Sequence, residues 1–114
     1  MNWKDELIQP ALSEETHKHI AEQKAWIARE PANPRPYHHL AQLYRIENKQ
    51  DEALALLLHA VHLDPTYAPA HAALTEMYAV KGDYKAAWAH ARAAQNHGLD
   101  TAVELLTKHQ IPEP

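Results

Sequence analysis

The sequence predicts an all-α fold, a solenoid of antiparallel helix pairs with about five to seven helices. Three observations carry that expectation. The chain matches itself at a shift of 34 residues, alanine recurs at helical spacing within each matched unit, and Pro, Asn and Gly stand where successive helices would have to turn.

The matches at that shift run through the middle of the chain. Leu40 meets Leu74, Tyr44 meets Tyr78, Ala53 meets Ala87, Ala60 meets Ala94, and Pro31 meets Pro65. Similar pairs lie between them: Leu43 with Met77, Ile46 with Val80, and Asn48 with Gly82. A unit of this length cannot bury its apolar face alone, so neighbouring units stack and share a core. Ala53, Ala60, Ala87 and Ala94 fall on one face of their helices, where only a small side chain lets two backbones approach closely. Leu40, Leu43 and Tyr44 form an apolar stripe at three- and four-residue spacing, as do Leu74, Met77 and Tyr78. Asn48 and Gly82 sit between paired helices, where a tight turn calls for positive φ. Gly adopts that freely, and Asn more readily than most residues. Pro34, Pro36, Pro65 and Pro69 fall at helix entrances or linkers, where a missing N–H does no harm.

In these residues the chain resembles the tetratricopeptide repeat family. The first full copy reads Tyr37-x-x-Leu40-Ala41-x-x-Tyr44, then Ala53-x-x-x-Leu57-x-x-Ala60, then Pro65. The second reads His71-x-x-Leu74-Thr75-x-x-Tyr78, then Ala87-x-x-x-Ala91-x-x-Ala94. The resemblance covers about residues 34–98 and implies a right-handed superhelix whose first helices line a concave groove. The pattern's closing Pro is replaced by Leu99 at the end of the second copy, which suggests that the array stops there.

The chain is therefore expected to be one domain. Residues 1–33 would form a degenerate preceding half or whole repeat, 34–67 and 68–100 the full repeats, 101–110 a capping helix and 111–114 a frayed tail. Within the first part, Trp3, Leu7 and Ile8 suggest a short helix over residues 2–9, broken at Pro10. Ser13, followed by Glu14 and Glu15, suggests an N-cap for a helix over about 14–29 with Ile20, Ala21, Lys24, Ala25 and Ile27 in its stripe. At the other end Gly98 is a helix stop and Asp100 an N-cap, with Val103, Leu105 and Leu106 placed to cover the last repeat.

Composition narrows the function classes. The 114 residues suffice for one modest core, and 46% apolar with 23% charged residues is the balance of an ordinary globular chain. No apolar run approaches the ~20 residues needed to span a bilayer. Asp5 and Glu6 stand where a signal peptide would have a basic start and an apolar stretch, so a cytoplasmic location is expected, with no membrane partner. The formal charge of −4 argues against general nucleic-acid binding, which needs a basic stripe. Without cysteine there are no disulfides, thiolate metal sites or thiol nucleophiles. Two glycines make no phosphate-cradling loop, and Ser13, the only serine, is better explained as a cap. Adjacent carboxylates such as Glu14/Glu15 and Glu47/Asp51 read as solvated helix surface. No enzyme activity and no cofactor is expected.

Histidine is abundant, with ten in the chain. His59 and His62 are one turn apart, and repeat register places His90 and His97 near them on the outer face of two adjacent helices. Imidazoles at such spacing bind zinc, nickel or copper, but no H-E-x-x-H signature accompanies them, and polar surface is the simpler account.

The resemblance directs attention to the first helices. Arg35, His38, Gln42, Arg45 and Ile46 form one three- and four-spaced stripe, with Ala72, Glu76, Ala79 and Val80 in the equivalent places of the next repeat. These are the candidate partner-binding residues. Family members that grip chaperone tails use a Lys and an Asn on one first helix and a further Asn on the next. The matching positions here are His38, Gln42 and Ala73, so that ligand is not expected.

The expected function is a non-enzymatic interaction module, or scaffold, that holds a partner's peptide or helix in this groove. One alternative is a homo-oligomer that stacks through its terminal helices. A weaker one is a metal- or pH-responsive protein based on the histidines.

Overall fold

The computed structural model describes the backbone of residues 3–114 and the side chains from Glu14 onward. The described residues form six helices and no strand: α1 (Trp3–Arg29), α2 (Pro34–Ile46), α3 (Gln50–Leu63), α4 (Ala68–Lys81), α5 (Tyr84–Asn96) and α6 (Thr101–Lys108). The fold is all-α. None of these helices is long and apolar enough to cross a membrane.

Each helix packs on the next in sequence, and α4 also packs on α6. The connections hold two to four residues, so consecutive helices turn back on one another. The molecule measures 46 × 39 × 21 Å. Its smallest dimension is about two helix diameters, the depth of a double layer. The period found in the sequence survives in the backbone, with α2 and α4, and likewise α3 and α5, starting 34 residues apart.

Helix ends are set by local chemistry. Pro34 opens α2, where the Asn33 side chain accepts a hydrogen bond from the Arg35 amide at 3.0 Å. Asp83 caps α5 in the same manner through the Ala86 amide at 3.1 Å. Asp100 stands at the N-cap of α6 as expected, although its side chain makes no capping bond there. Four helices close alike, with one residue in the left-handed region: Asn48 (φ 61°), Gly82 (φ 81°), Gly98 (φ 90°) and Gln110 (φ 56°). In each closure the following amide reaches back to a carbonyl in the last turn: Lys49 to Tyr44, Asp83 to Tyr78, Leu99 to Ala94 and Ile111 to Leu106. The positive φ expected of Asn48 and Gly82 is present, and so is the stop at Gly98.

Two apolar clusters form the core. The first gathers Ala41, Ala53, Leu57, Ala60, Ala70, Ala73, Leu74 and Met77 where α2, α3 and α4 meet. The second gathers Ala68, Ala87, Trp88, Ala91, Ala94, Ala102 and Leu106 from α4, α5 and α6. Ala53, Ala60, Ala87 and Ala94 are fully buried, as close backbone approach requires. Thr75 is fully buried as well, and its hydroxyl lies 3.0 Å from the His71 carbonyl and 3.2 Å from that of Ala87, linking α4 to α5.

Three expectations about the flanks are corrected. The first helix does not break at Pro10 or start at Ser13; α1 runs unbroken from Trp3 to Arg29. A proline inside a helix forfeits one hydrogen bond and costs about 3 kcal/mol, which is why a break is expected there from sequence. The side chains of Trp3, Leu7, Ile8 and Ser13 lie outside the described residues. The buried face of α1 runs through Thr16, Ile20, Gln23 and Ile27, whereas Ala21, Lys24 and Ala25 are exposed. At 3.6 residues per turn, positions 21 and 25 are carried about 100° and about 140° away from Ile20. Finally, residues 111–114 do not stand clear of the helices but lie against α5. The Ile111 carbonyl accepts a hydrogen bond from the Trp88 indole at 3.2 Å, and Glu113 pairs with Arg92.

Candidate functional site

The helices that open each repeat, α2 and α4, together with α6, border one open cleft of about 420 Å³. Its lining combines Arg45 from α2, Glu76, Ala79 and Val80 from α4, Leu105 and Leu106 from α6, and His109 and Ile111 just beyond. The position of the cleft follows from helix register. Glu76 is followed one turn later by Ala79 and Val80 on α4, on a side of the helix turned away from buried Leu74. Val80 is 89% exposed and Ile46, at the end of α2, is 73% exposed, so the cleft and its border hold apolar surface that the fold leaves open.

Arg45 is the hub of this surface. Its Nη1 donates to the Gln42 side-chain oxygen at 3.1 Å and to a carboxylate oxygen of Glu76 at 3.2 Å, joining α2 to α4. It also borders a second hollow, of about 450 Å³, lined by Asn48, Gln50, Met77, Val80 and Lys81. The Arg45–Glu76 pair is only partly buried, so it contributes about 1 kcal/mol or less to stability. Both groups stay accessible for exchange with a ligand.

Of the stripe named from sequence, Arg45, Glu76 and Val80 come together at the cleft, Gln42 joins through Arg45, and Ile46 stands exposed at the end of α2, outside the cleft's lining. Arg35 and His38 belong elsewhere. Arg35 is exposed near the start of α2, about 15 Å along the helix from Arg45. Its charge acts on Tyr67, whose hydroxyl is held above its ordinary pKa by burial, an effect the guanidinium opposes only in part. His38 is half-buried rather than presented to a groove. Its ring lies against Tyr67 at 5.7 Å and His39 at 5.6 Å between centroids, and its Nδ1 is buried without a hydrogen-bond partner. Burial, the neighbouring His39 and Arg45 lower its pKa to about 4, so the ring is neutral at pH 7.

The histidine cluster expected on one outer face does not assemble. His59 and His62 are exposed neighbours on α3, with ring centroids 6.5 Å apart, and His59 also meets the edge of the Tyr37 ring. His97 is the exposed C-cap of α5. His90 turns inward instead. It stacks on Tyr78 at 5.6 Å, and its Nδ1 lies 2.9 Å from Nδ1 of buried His71. Helix register places a residue on a side of the helix, but the crossing of α4 and α5 decides whether that side meets another helix. Among the described residues no group of three or more His, Asp or Glu is arranged to hold a metal ion.

The contribution of α6 to the cleft was not legible in the repeat pattern. Of the three residues expected to cover the last repeat, Val103 and Leu106 do so, together with Ala102, whereas Leu105 is left half-exposed in the cleft. The usable signal is the four-residue spacing of Ala102 and Leu106, which puts Leu105 on an adjacent face. Leu105 also borders a smaller hollow of about 200 Å³ with Ala72, Glu76, Thr101 and Ala102. No protein-family model matches this chain, and no curated protein matches it.

Proposed function

We propose that this chain is a non-enzymatic, tetratricopeptide-type interaction module that seats a short helix or extended peptide of a partner protein in the cleft bordered by α2, α4 and α6. The observation that carries this reading is the pairing of two apolar side chains, exposed Val80 and half-exposed Leu105, with a displaceable ion pair, Arg45–Glu76, in one cleft. An apolar floor supplies affinity and a few charged groups set orientation, the usual division of labour in a peptide groove. The repeat-type assignment is supported by the 34-residue offset between helix starts and by the matched closures at Asn48 and Gly82. The fitting ligand has an apolar anchor with a carboxylate beside it, because Arg45 and Glu76 offset each other and Lys81 adds a positive charge at the border of the second hollow.

Peptides selected from a random library against the immobilised chain provide the test. Those that bind should lose at least about tenfold in affinity to the Val80→Glu variant, which buries a charge against their apolar anchor. They should keep their affinity for Leu58→Glu, the same change of charge at an exposed apolar residue of α3. Equal loss in both variants would assign the effect to net charge, and loss only in the α3 variant would move the site away from the cleft.

A further inference from the structure

One side of α5, where buried Trp88 meets exposed Lys85, Ala89 and Arg92, carries a second constellation that shares no lining residue with the cleft. Lys85, Trp88, Ala89 and Arg92 border a hollow of about 320 Å³ whose remaining wall is Glu113 and Pro114 of the same chain. The Arg92 guanidinium lies over the Trp88 indole, 5.2 Å from the ring centroid. It binds the Glu113 carboxylate through two nitrogens, Nε at 2.9 Å and Nη2, while its Nη1 is oriented by the Gln95 side-chain oxygen at 2.9 Å. The Trp88 indole N–H donates to the Ile111 carbonyl, which leads the segment onto the helix. The hydrogen bonds from Arg92 hold the Glu113 carboxyl below its ordinary pKa.

A guanidinium fork fixed over an aromatic ring, with an ammonium one turn away, is chemistry that recognises a carboxylate. Proline on both sides of Glu113 presets the extended form that docks on aromatic surfaces without a large ordering cost. The hold on this segment is nevertheless weak. The side chains of Arg92 and Glu113 are 45% and 41% exposed, and an ion pair so open to water adds little stability. We propose that the Lys85–Trp88–Arg92 face of α5 is a second peptide-binding site, for an extended, acidic, proline-flanked segment of another protein, which residues 112–114 occupy in cis. Charge complementarity selects this occupant: three acidic or proline residues of the chain itself already demonstrate the fit. The adjoining segment sets a threshold for the partner, because a tethered ligand competes at an effective concentration of about the millimolar range.

The experiment uses the full chain labelled with ¹⁵N and a synthetic peptide of the sequence Gln110–Pro114, blocked at both ends, with the Trp88 indole resonance as reporter. In the Glu113→Gln variant the chain's own segment has lost its carboxylate while the added peptide retains one. The peptide should therefore bind this variant at least about tenfold more tightly than it binds the wild type. Adding Arg92→Gln to that variant should abolish the gain, and far-ultraviolet circular dichroism should show unchanged helix content, since both side chains are surface groups. Equal affinity for Glu113→Gln and wild type would overturn the proposal. So would peptide-induced shifts confined to Arg45, Val80 and Leu105, which would assign the peptide to the cleft, or a concentration-dependent dimer of the Glu113→Gln variant, which would make a second copy the occupant.

Discussion

Tyr37 and His71 occupy the same place in successive repeats, and each hydrogen-bonds the backbone carbonyl of the proline six residues before it. The Tyr37 hydroxyl donates to Pro31 at 2.8 Å, and His71 Nε2 lies 2.8 Å from the carbonyl oxygen of Pro65. A carbonyl only accepts, so His71 carries its proton on Nε2. Two chemically different side chains thus fasten the entry of α2 and of α4 to the preceding linker. Substituting Tyr37 by Phe should remove one such bond and lower stability by about 0.5–1.5 kcal/mol in urea unfolding. His71→Phe should cost more, about 1–3 kcal/mol, because it also strands Nδ1 of His90 in a half-buried position. A smaller loss from His71→Phe than from Tyr37→Phe would show that the His71–His90 contact adds nothing.

That contact also makes stability depend on pH. With Nε2 of His71 donating to Pro65, the 2.9 Å contact to His90 holds a single proton between the two Nδ1 atoms, and protonating both rings would set two like charges and two N–H groups against each other. Burial and then His71 lower the pKa of His90 to about 4, as burial, His39 and Arg45 do for His38. Unfolded histidine takes up its proton near the ordinary value of 6.5. As pH falls through about 6.5 the unfolded chain gains protons that the folded chain refuses. Stability is complete above that pH and is lost progressively toward about 4. Both rings are partly exposed, so solvent screening reduces the loss to about 1 kcal/mol per ring. Unfolding free energies measured from pH 7.5 down to 4.5 should show this decline, and His90→Gln should flatten it. An unchanged slope in that variant would remove His90 from the account.

Close helix approach at the buried alanines sets a third expectation. Ala60 and Ala94 have no exposed surface, so a leucine at either site must push α3 or α5 away from its neighbours. Each substitution should destabilise the fold by about 1–3 kcal/mol, read as a lowered melting temperature. Unchanged melting in both variants would mean that the two helices can part without loss.

The left-handed closures offer a paired test of backbone strain. A Cβ built at Gly82 would meet nothing within 4 Å, so Gly82→Ala should cost about 1 kcal/mol through its φ of 81° alone. Gln110 already carries such strain at φ 56°, and Gln110→Gly should gain about 0.5–1 kcal/mol. If Gln110→Gly instead destabilises, contacts of the glutamine side chain outweigh the backbone term.

Much of the fold was legible in the sequence because it rests on interactions within one or two helical turns. The apolar stripe of Leu40 and Leu74, the fully buried Ala53 and Ala87, and the positive φ of Asn48 and Gly82 all express local spacing repeated at one period. The site was less legible. Arg45, Glu76 and Val80 were found because the repeat register aligns them, whereas the burial of His38 depends on Tyr67, which lies on the linker before α4.

By itself, the sequence determined which segments are helical from α2 onward, where each of them turns, and which alanines let them touch, since a helical stripe and a left-handed turn are properties of adjacent residues. Only the tertiary structure decided that His90 faces inward to His71, that Leu105 opens into the cleft, and that Glu113 returns to Arg92 across 21 positions. Those outcomes depend on the crossing and depth of packed helices, which bring distant residues together at separations no local period encodes.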